Sequence, residues 1–357
     1  MALAGLCLAA STAWAAPSMG LLELPATADL RPVTVHYPSS SPPQPVQHGA
    51  TRRLLAPNGT PVRGNGRLVV ISHGTGGAPW GHADLARALV QAGYVVALPE
   101  HRGDTYRDYS EWGTFESPNR RPQEVSRTID AVARDPRLAP LLDLQQVGVY
   151  GMSAGGFTAL TLAGGRWSPQ QFVRHCDANL AQDWHFCTGP IVALNGGWLD
   201  GLKLWLARHE IHRRFDDDTA WRQHTDPRVA AIVAAVPAAA AFDLQSLRQP
   251  PVPLGLVTMG GDRWLQPRFH SSAVLAACAP RCEEVAHLAD GGHGAMLSPL
   301  PPGLDGVLGQ MLNDPPGFDR AALPAVDQRI VAFFSRHLRT GAPNEVIASA
   351  PERRAQK

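Results

Sequence analysis

Val147-Gly148-Val149-Tyr150-Gly151-Met152-Ser153-Ala154-Gly155-Gly156 is an apolar β-like run that meets a string of small residues at a single serine. The stretch contains G-x-S-x-G. A serine at a tight strand-to-helix turn must adopt strained backbone angles, so the residues two positions to either side need to lack a Cβ. Such a turn lifts the hydroxyl clear of the sheet. It also puts the Ala154 N–H at the start of a helix, where it can face a developing negative charge. Ser153 is therefore the candidate nucleophile. A structural Gly-Ser turn is the bland alternative, and the strand before and helix after the motif argue against it.

Outward from this point, apolar β-rich runs alternate with helical patterns. Upstream, residues 67–73 and 94–98 read as strands, 82–92 as an amphipathic helix closed by Gly93, and 122–134 as a helix with Pro122 in its first turn. Downstream, strands are expected at 229–236, 252–259 and about 283–287, with a closing helix at 326–338. This alternation predicts an α/β fold with a mostly parallel central sheet flanked by helices. The rhythm breaks at about 166–225, a polar stretch carrying Trp167, Trp184, Trp198, Trp205 and Trp221. It reads as a cap inserted into one domain spanning 16–357, with a surface excursion as the alternative. A second break, at 299–325, is rich in Pro and Gly and reads as a packed loop.

A serine nucleophile needs a base, an acid and an oxyanion hole. Ser72-His73-Gly74-Thr75-Gly76-Gly77 follows the strand at 67–73, and its glycines let the backbone approach a carbonyl, with the Thr75 N–H as donor beside Ala154. His73 is read as a prop for that loop. After Ser153, Gly260-Gly261-Asp262 places a carboxylate at the end of one strand, and Asp290-Gly291-Gly292-His293-Gly294 places a histidine after the next. The order Ser, Asp, His makes Asp262 the acid and His293 the base. Asp243 is the alternative acid, and Asp290 and His287 are weaker candidates. Residues 100–104 are expected either to line the pocket or to form a structural loop.

The sequences RLVVISHGTGG, GYVVALPEHRGD, VYGMSAGGFTAL, VTMGGDRWLQP, DGGHGAML and IVAFFSRHL together resemble the predicted dienelactone-hydrolase group of the α/β hydrolases. That group is similar in turn to platelet-activating-factor acetylhydrolases and to cutinase-like polyester hydrolases. The resemblance spans residues 30 to 340. It implies Ser153, Asp262 and His293 as a triad, Thr75 and Ala154 as oxyanion donors, and cleavage of a carboxylic ester without a cofactor or metal. Dienelactone hydrolases usually carry cysteine where this chain has Ser153, and many lipases carry histidine where it has Met152. The alternatives are a peptidase or amidase on the same machinery and a non-catalytic binding protein on the same scaffold.

The formal net charge of +1 gives no electrostatic case for nucleic acid or an anionic membrane as partner. The expected partner is a small-molecule, lipid or polymer ester. At the N-terminus, Ala2 to Ala10 form a short apolar core and Ala13-Trp14-Ala15 supplies the small residues of a cleavage site, so residues 1–15 are expected to be a signal peptide of a periplasmic or secreted protein. An apolar helix of a cytosolic protein is the alternative. No stretch is long and apolar enough to span a bilayer. Beyond the signal, Cys176, Cys187, Cys278 and Cys282 allow three pairings, and proximity favours 176–187 and 278–282. A zinc site using His175, Asp177 and His185 is the rival, but its spacing matches no standard finger or ribbon.

Overall fold

The computed structural model describes residues 17–338 apart from 50, 191, 192, 301 and 302. The expected signal peptide lies outside the described residues. In chain order the strands are β1 (Ser18–Leu24), β2 (Val33–Ser39), β3 (Gln44–His48), β4 (Thr51–Pro57), β5 (Leu68–Ser72), β6 (Val95–Pro99), β7 (Val147–Met152), β8 (Arg166–Trp167), β9 (Val229–Ala235), β10 (Phe242–Asp243), β11 (Leu254–Met259) and β12 (Cys282–Leu288). The helices are α1 (Ala83–Gln91), α2 (Glu116–Arg134), α3 (Ala154–Leu162), α4 (Pro169–Asn179), α5 (Trp184–Thr188), α6 (Asp200–Phe215), α7 (Ser271–Cys278), α8 (Gly306–Leu312) and α9 (Leu323–His337).

Ten strands form one sheet in the order β12-β11-β9-β7-β5-β6-β2-β1-β4-β3. From β12 to β6 every neighbouring pair is parallel, whereas β2 joins β6 antiparallel and leads into the N-terminal strands. The inner parallel strands β5, β7, β9 and β11, with β6, are buried along almost their whole length because both their faces are covered. Alternate residues serve opposite faces: Leu68 and Val70 join one core, Val69 and Ile71 the other. One core is closed by α2, α3, the helices of 169–215 and α7; the other is closed by α1 and α9. This mostly parallel sheet, with helices on both faces and a serine turn after its middle strand, is the α/β-hydrolase fold.

Two expectations change. Helix α2 begins at Glu116, so Pro122 lies inside it rather than in its first turn; the buried Ser117 and Arg121 extend the packed face one and a half turns upstream. The 299–325 stretch contains α8 instead of being loop throughout. Strands β1–β4 leave no comparable mark in the sequence, because their residues lack the unbroken apolar runs of the parallel core: β2 buries Thr34, His36 and Ser39 among its apolar residues.

The stretch expected as an insertion holds β8, α4, α5 and α6, with β8 pairing antiparallel to β10. Of its tryptophans, Trp167 and Trp184 are buried, whereas Trp198, Trp205 and Trp221 are exposed. Disulfides join Cys176 to Cys187 and Cys278 to Cys282. Cys176 and Cys187, which flank His175 and His185, are thus bonded to each other. Among the described residues no helix is long and apolar enough to cross a membrane.

Candidate active site

Strand β7 runs directly into α3, and Ser153 is the hinge between them, with φ 57° and ψ −114°. The turn has no room for side chains at its glycines. A Cβ on Gly151 would lie 1.9 Å from Gly155 O, and one on Gly155 would lie 1.9 Å from Ser72 O. The serine backbone is held by its neighbours: Ser153 N–H donates to Ala235 O at 3.0 Å, and Ala238 N–H donates to Ser153 O at 3.2 Å. Ser153 remains partly exposed.

The structure brings Asp262 and His293 to this serine. His293 Nε2 lies 2.9 Å from Ser153 Oγ, and His293 Nδ1 lies 2.8 Å from Asp262 Oδ2. The other carboxylate oxygen, Oδ1, accepts the N–H groups of Trp264 and Leu265 at 2.8 and 2.9 Å. Asp262 and His293 are both buried. The carboxylate thus accepts a hydrogen bond from Nδ1–H, which leaves Nε2 as the acceptor facing the hydroxyl. The alternative acids and base stand elsewhere. Asp243 pairs with Arg166 at 2.6 Å, His287 Nδ1 faces Thr258 Oγ1 at 2.7 Å on β12, and Asp290 is exposed.

Ala154 opens α3, so its N–H is among those a helix leaves without an internal acceptor. Across from it, the loop after β5 passes close to the serine: a Cβ on Gly74 would lie 3.3 Å from Ser153 Cβ. Thr75, next in the loop, is exposed. Beneath this loop lies a buried polar scaffold. Arg121 on α2 donates to His73 O and to Asp104 Oδ2, each at 2.6 Å, and Asp104 Oδ1 accepts Gly76 N–H at 2.8 Å. Burial raises the Asp104 carboxyl, but the Arg121 guanidinium and the Gly76 N–H outweigh it and hold the group below the usual carboxylate range. Burial keeps His73 and His101 neutral, with both pushed well below the usual imidazole value. His73 Nδ1 donates to Gly74 O at 2.7 Å, which makes it a prop of the loop. His101 bridges Ser72 Oγ at 2.8 Å and Glu124 Oε2 at 2.7 Å. The 100–104 loop is thus tied into the scaffold by His101 and Asp104.

Arg121 and Glu124 escaped the sequence reading. Their signal was available only as polar residues on the face of α2 that also carries Val125, Thr128 and Ile129.

The 169–215 helices meet the loop that carries Asp262. His185 of α5 stacks on Trp264, ring centroids 4.2 Å apart and planes within 10°. Asp183, just before α5, accepts from His175 Nε2 at 2.8 Å and His270 Nε2 at 3.0 Å. His270 Nδ1 in turn accepts the Ala239 N–H at 2.9 Å, which fixes the tautomer that donates to Asp183. Burial pushes the Asp183 carboxyl up, but the two imidazole hydrogen bonds outweigh it and hold it at about 2.

With this geometry in view, the chain is similar to a solved ferulic acid esterase. That enzyme is from Streptomyces cinnamoneus, and it superposes with a TM-score of 0.55 at 17% sequence identity, covering 96% of this chain and 96% of that one. The likeness carries the α/β-hydrolase fold and no subgroup within it. No protein-family model and no curated protein matches the chain.

Proposed function

We propose that the protein is a serine hydrolase that cleaves a carboxylic ester through an acyl-serine intermediate. The observation that carries this reading is the relay in which His293 bridges Ser153 Oγ at 2.9 Å and Asp262 at 2.8 Å. His293 Nε2 takes the hydroxyl proton as Ser153 Oγ attacks the ester carbonyl. The N–H groups of Thr75 and Ala154 hold the oxyanion. The imidazolium, stabilised by Asp262, then gives its proton to the leaving alcohol as the C–O bond breaks. Water enters, His293 takes its proton, and the hydroxide oxygen attacks the acyl carbonyl. The acid leaves as Ser153 Oγ recovers the proton. No step calls on a cofactor. The likeness to a ferulic acid esterase favours an ester as the bond cleaved.

The same reading makes the helices at about 166–225 a cap, since Asp183 and His185 seat them on the loop that carries Asp262. Two disulfides suit an exported chain whose first fifteen residues are removed, in the periplasm or outside the cell.

A fluorophosphonate probe, which phosphonylates activated serines, tests the assignment. Wild type is expected to be labelled and to hydrolyse short p-nitrophenyl esters, whereas Ser153→Ala and His293→Ala lose both. Equal labelling of wild type and folded Ser153→Ala would overturn it.

A further inference from the structure

Beside the oxyanion loop stands an aromatic pair that the chemistry above leaves unused. Tyr109 and Trp112, on the segment between β6 and α2, meet edge to face with ring centroids 4.8 Å apart. Their polar ends are satisfied within the protein. Tyr109 Oη–H donates to Tyr106 O at 2.9 Å, and Trp112 Nε1–H donates to Asp104 Oδ1 at 2.9 Å. Yet Tyr109 is 49% exposed. An amphipathic side chain at a surface ordinarily lays its hydrocarbon on the protein and keeps its polar tip in water. Tyr109 has its hydroxyl bound to a backbone carbonyl while about half of the residue stays accessible.

The pair's location gives this accessible ring a use. A Cβ on Gly76 would lie 2.9 Å from the Trp112 ring and 3.1 Å from the Tyr109 ring, so the rings rest on the backbone of Gly76. Two residues earlier in the loop, Gly74 lies against Ser153. Two residues of chain span at most about 7 Å, so the rings stand within one substrate's length of the nucleophile. Asp104 Oδ1 receives both the Gly76 N–H and the Trp112 indole, so the loop and the rings are held by the same oxygen.

We propose that Tyr109, backed by Trp112, forms a subsite for a planar aromatic group of the ester, so that aryl-bearing esters are favoured over alkyl esters of similar size. The proposal rests on the ester-hydrolase reading for its reaction. An aromatic ring gains offset or edge contact with a held ring face beyond its area burial. A flexible alkyl chain forfeits more rotational freedom when it is immobilised there.

The test compares kcat/KM for methyl cinnamate and methyl hexanoate in wild type, Tyr109→Ala and Tyr109→Phe. The aryl-to-alkyl ratio is expected to fall about tenfold in Tyr109→Ala and to stay within about twofold of wild type in Tyr109→Phe. A ratio unchanged in Tyr109→Ala, or one lost equally in Tyr109→Phe, would overturn the subsite. If wild type turns over neither ester, the hydrolase reading is decided separately by the fluorophosphonate labelling above. Calorimetric titration of the two esters into Ser153→Ala and Ser153→Ala/Tyr109→Ala then decides the subsite. A Kd for methyl cinnamate about tenfold weaker without the ring upholds it, and equal Kd values overturn it.

Discussion

Ser153 carries a Cβ at a φ of 57°, a conformation that costs a side chain of this kind on the order of 1–2 kcal/mol. Backbone hydrogen bonds to the strand and loop beside it over-determine the position, and the close approach of Gly155 to Ser72 fixes the turn from behind. The histidine is held differently, by the carboxylate of Asp262. In Asp262→Asn, Oδ1 can go on accepting the Trp264 and Leu265 N–H groups, which leaves the new NH2 pointing at His293 Nδ1. The imidazole must then accept there, so its proton moves to Nε2 and no acceptor faces Ser153. We expect kcat at neutral pH to fall on the order of 10³- to 10⁴-fold, with KM changed far less. Steady-state kinetics on any turned-over ester checks this. A loss below about tenfold would mean that Asp262 is not what orients the base.

At the scale of elements, the loop after β5, the proposed oxyanion loop, is positioned from α2. Arg121 is the buried cation that binds Asp104 and two carbonyls of the loop, with side chains 1% and 7% exposed in the pair. Removing one partner strands the other charge, so Arg121→Met is expected to cost about 3–5 kcal/mol, read as a shift in urea unfolding. Adding Asp104→Asn removes the stranded charge and should recover part of that stability. Activity should stay low in the double variant, because the loop carbonyls still lack their donor. Full recovery of kcat together with stability would show that the scaffold does not set the loop. This scaffold also marks where the sequence stops being legible. Parallel strands show as apolar runs, and the serine turn shows as its glycines, because each constraint is local. Asp104, Arg121 and Glu124 meet only after β6 and α2 have packed, and no spacing along the chain announces that contact. Pro122 misled for a related reason: a proline usually marks a helix start, but here the packing of Ser117 and Arg121 carries the helix past it.

Over the whole molecule, the residues of the site come from segments far apart in the chain and converge at the C-terminal ends of β5, β7, β11 and β12, the edge where open α/β sheets bind ligands. Asp243 and His287 follow Ser153 in the same order as Asp262 and His293, so what sets the latter two apart is their place just past the ends of β11 and β12 on that edge. The opposite helical layer, α1 and α9, holds a charge whose cost reaches the entire fold. Asp327 of α9 is buried, and burial pushes its carboxyl up to about 7; Asp84 on α1 adds to the rise and Arg87 partly offsets it. In the unfolded chain the same group titrates near the usual value of about 4. Between these values the folded state binds the extra proton, so stability falls as pH rises from about 4 through 7 and levels off above. At 1.36 kcal/mol per unit the loss is on the order of 3–4 kcal/mol. Asp327→Asn keeps the shape and removes the ionisation. Its melting temperature should therefore gain on wild type steadily from pH 5 to pH 8, and parallel curves across that range would show that Asp327 does not ionise at a cost to the fold.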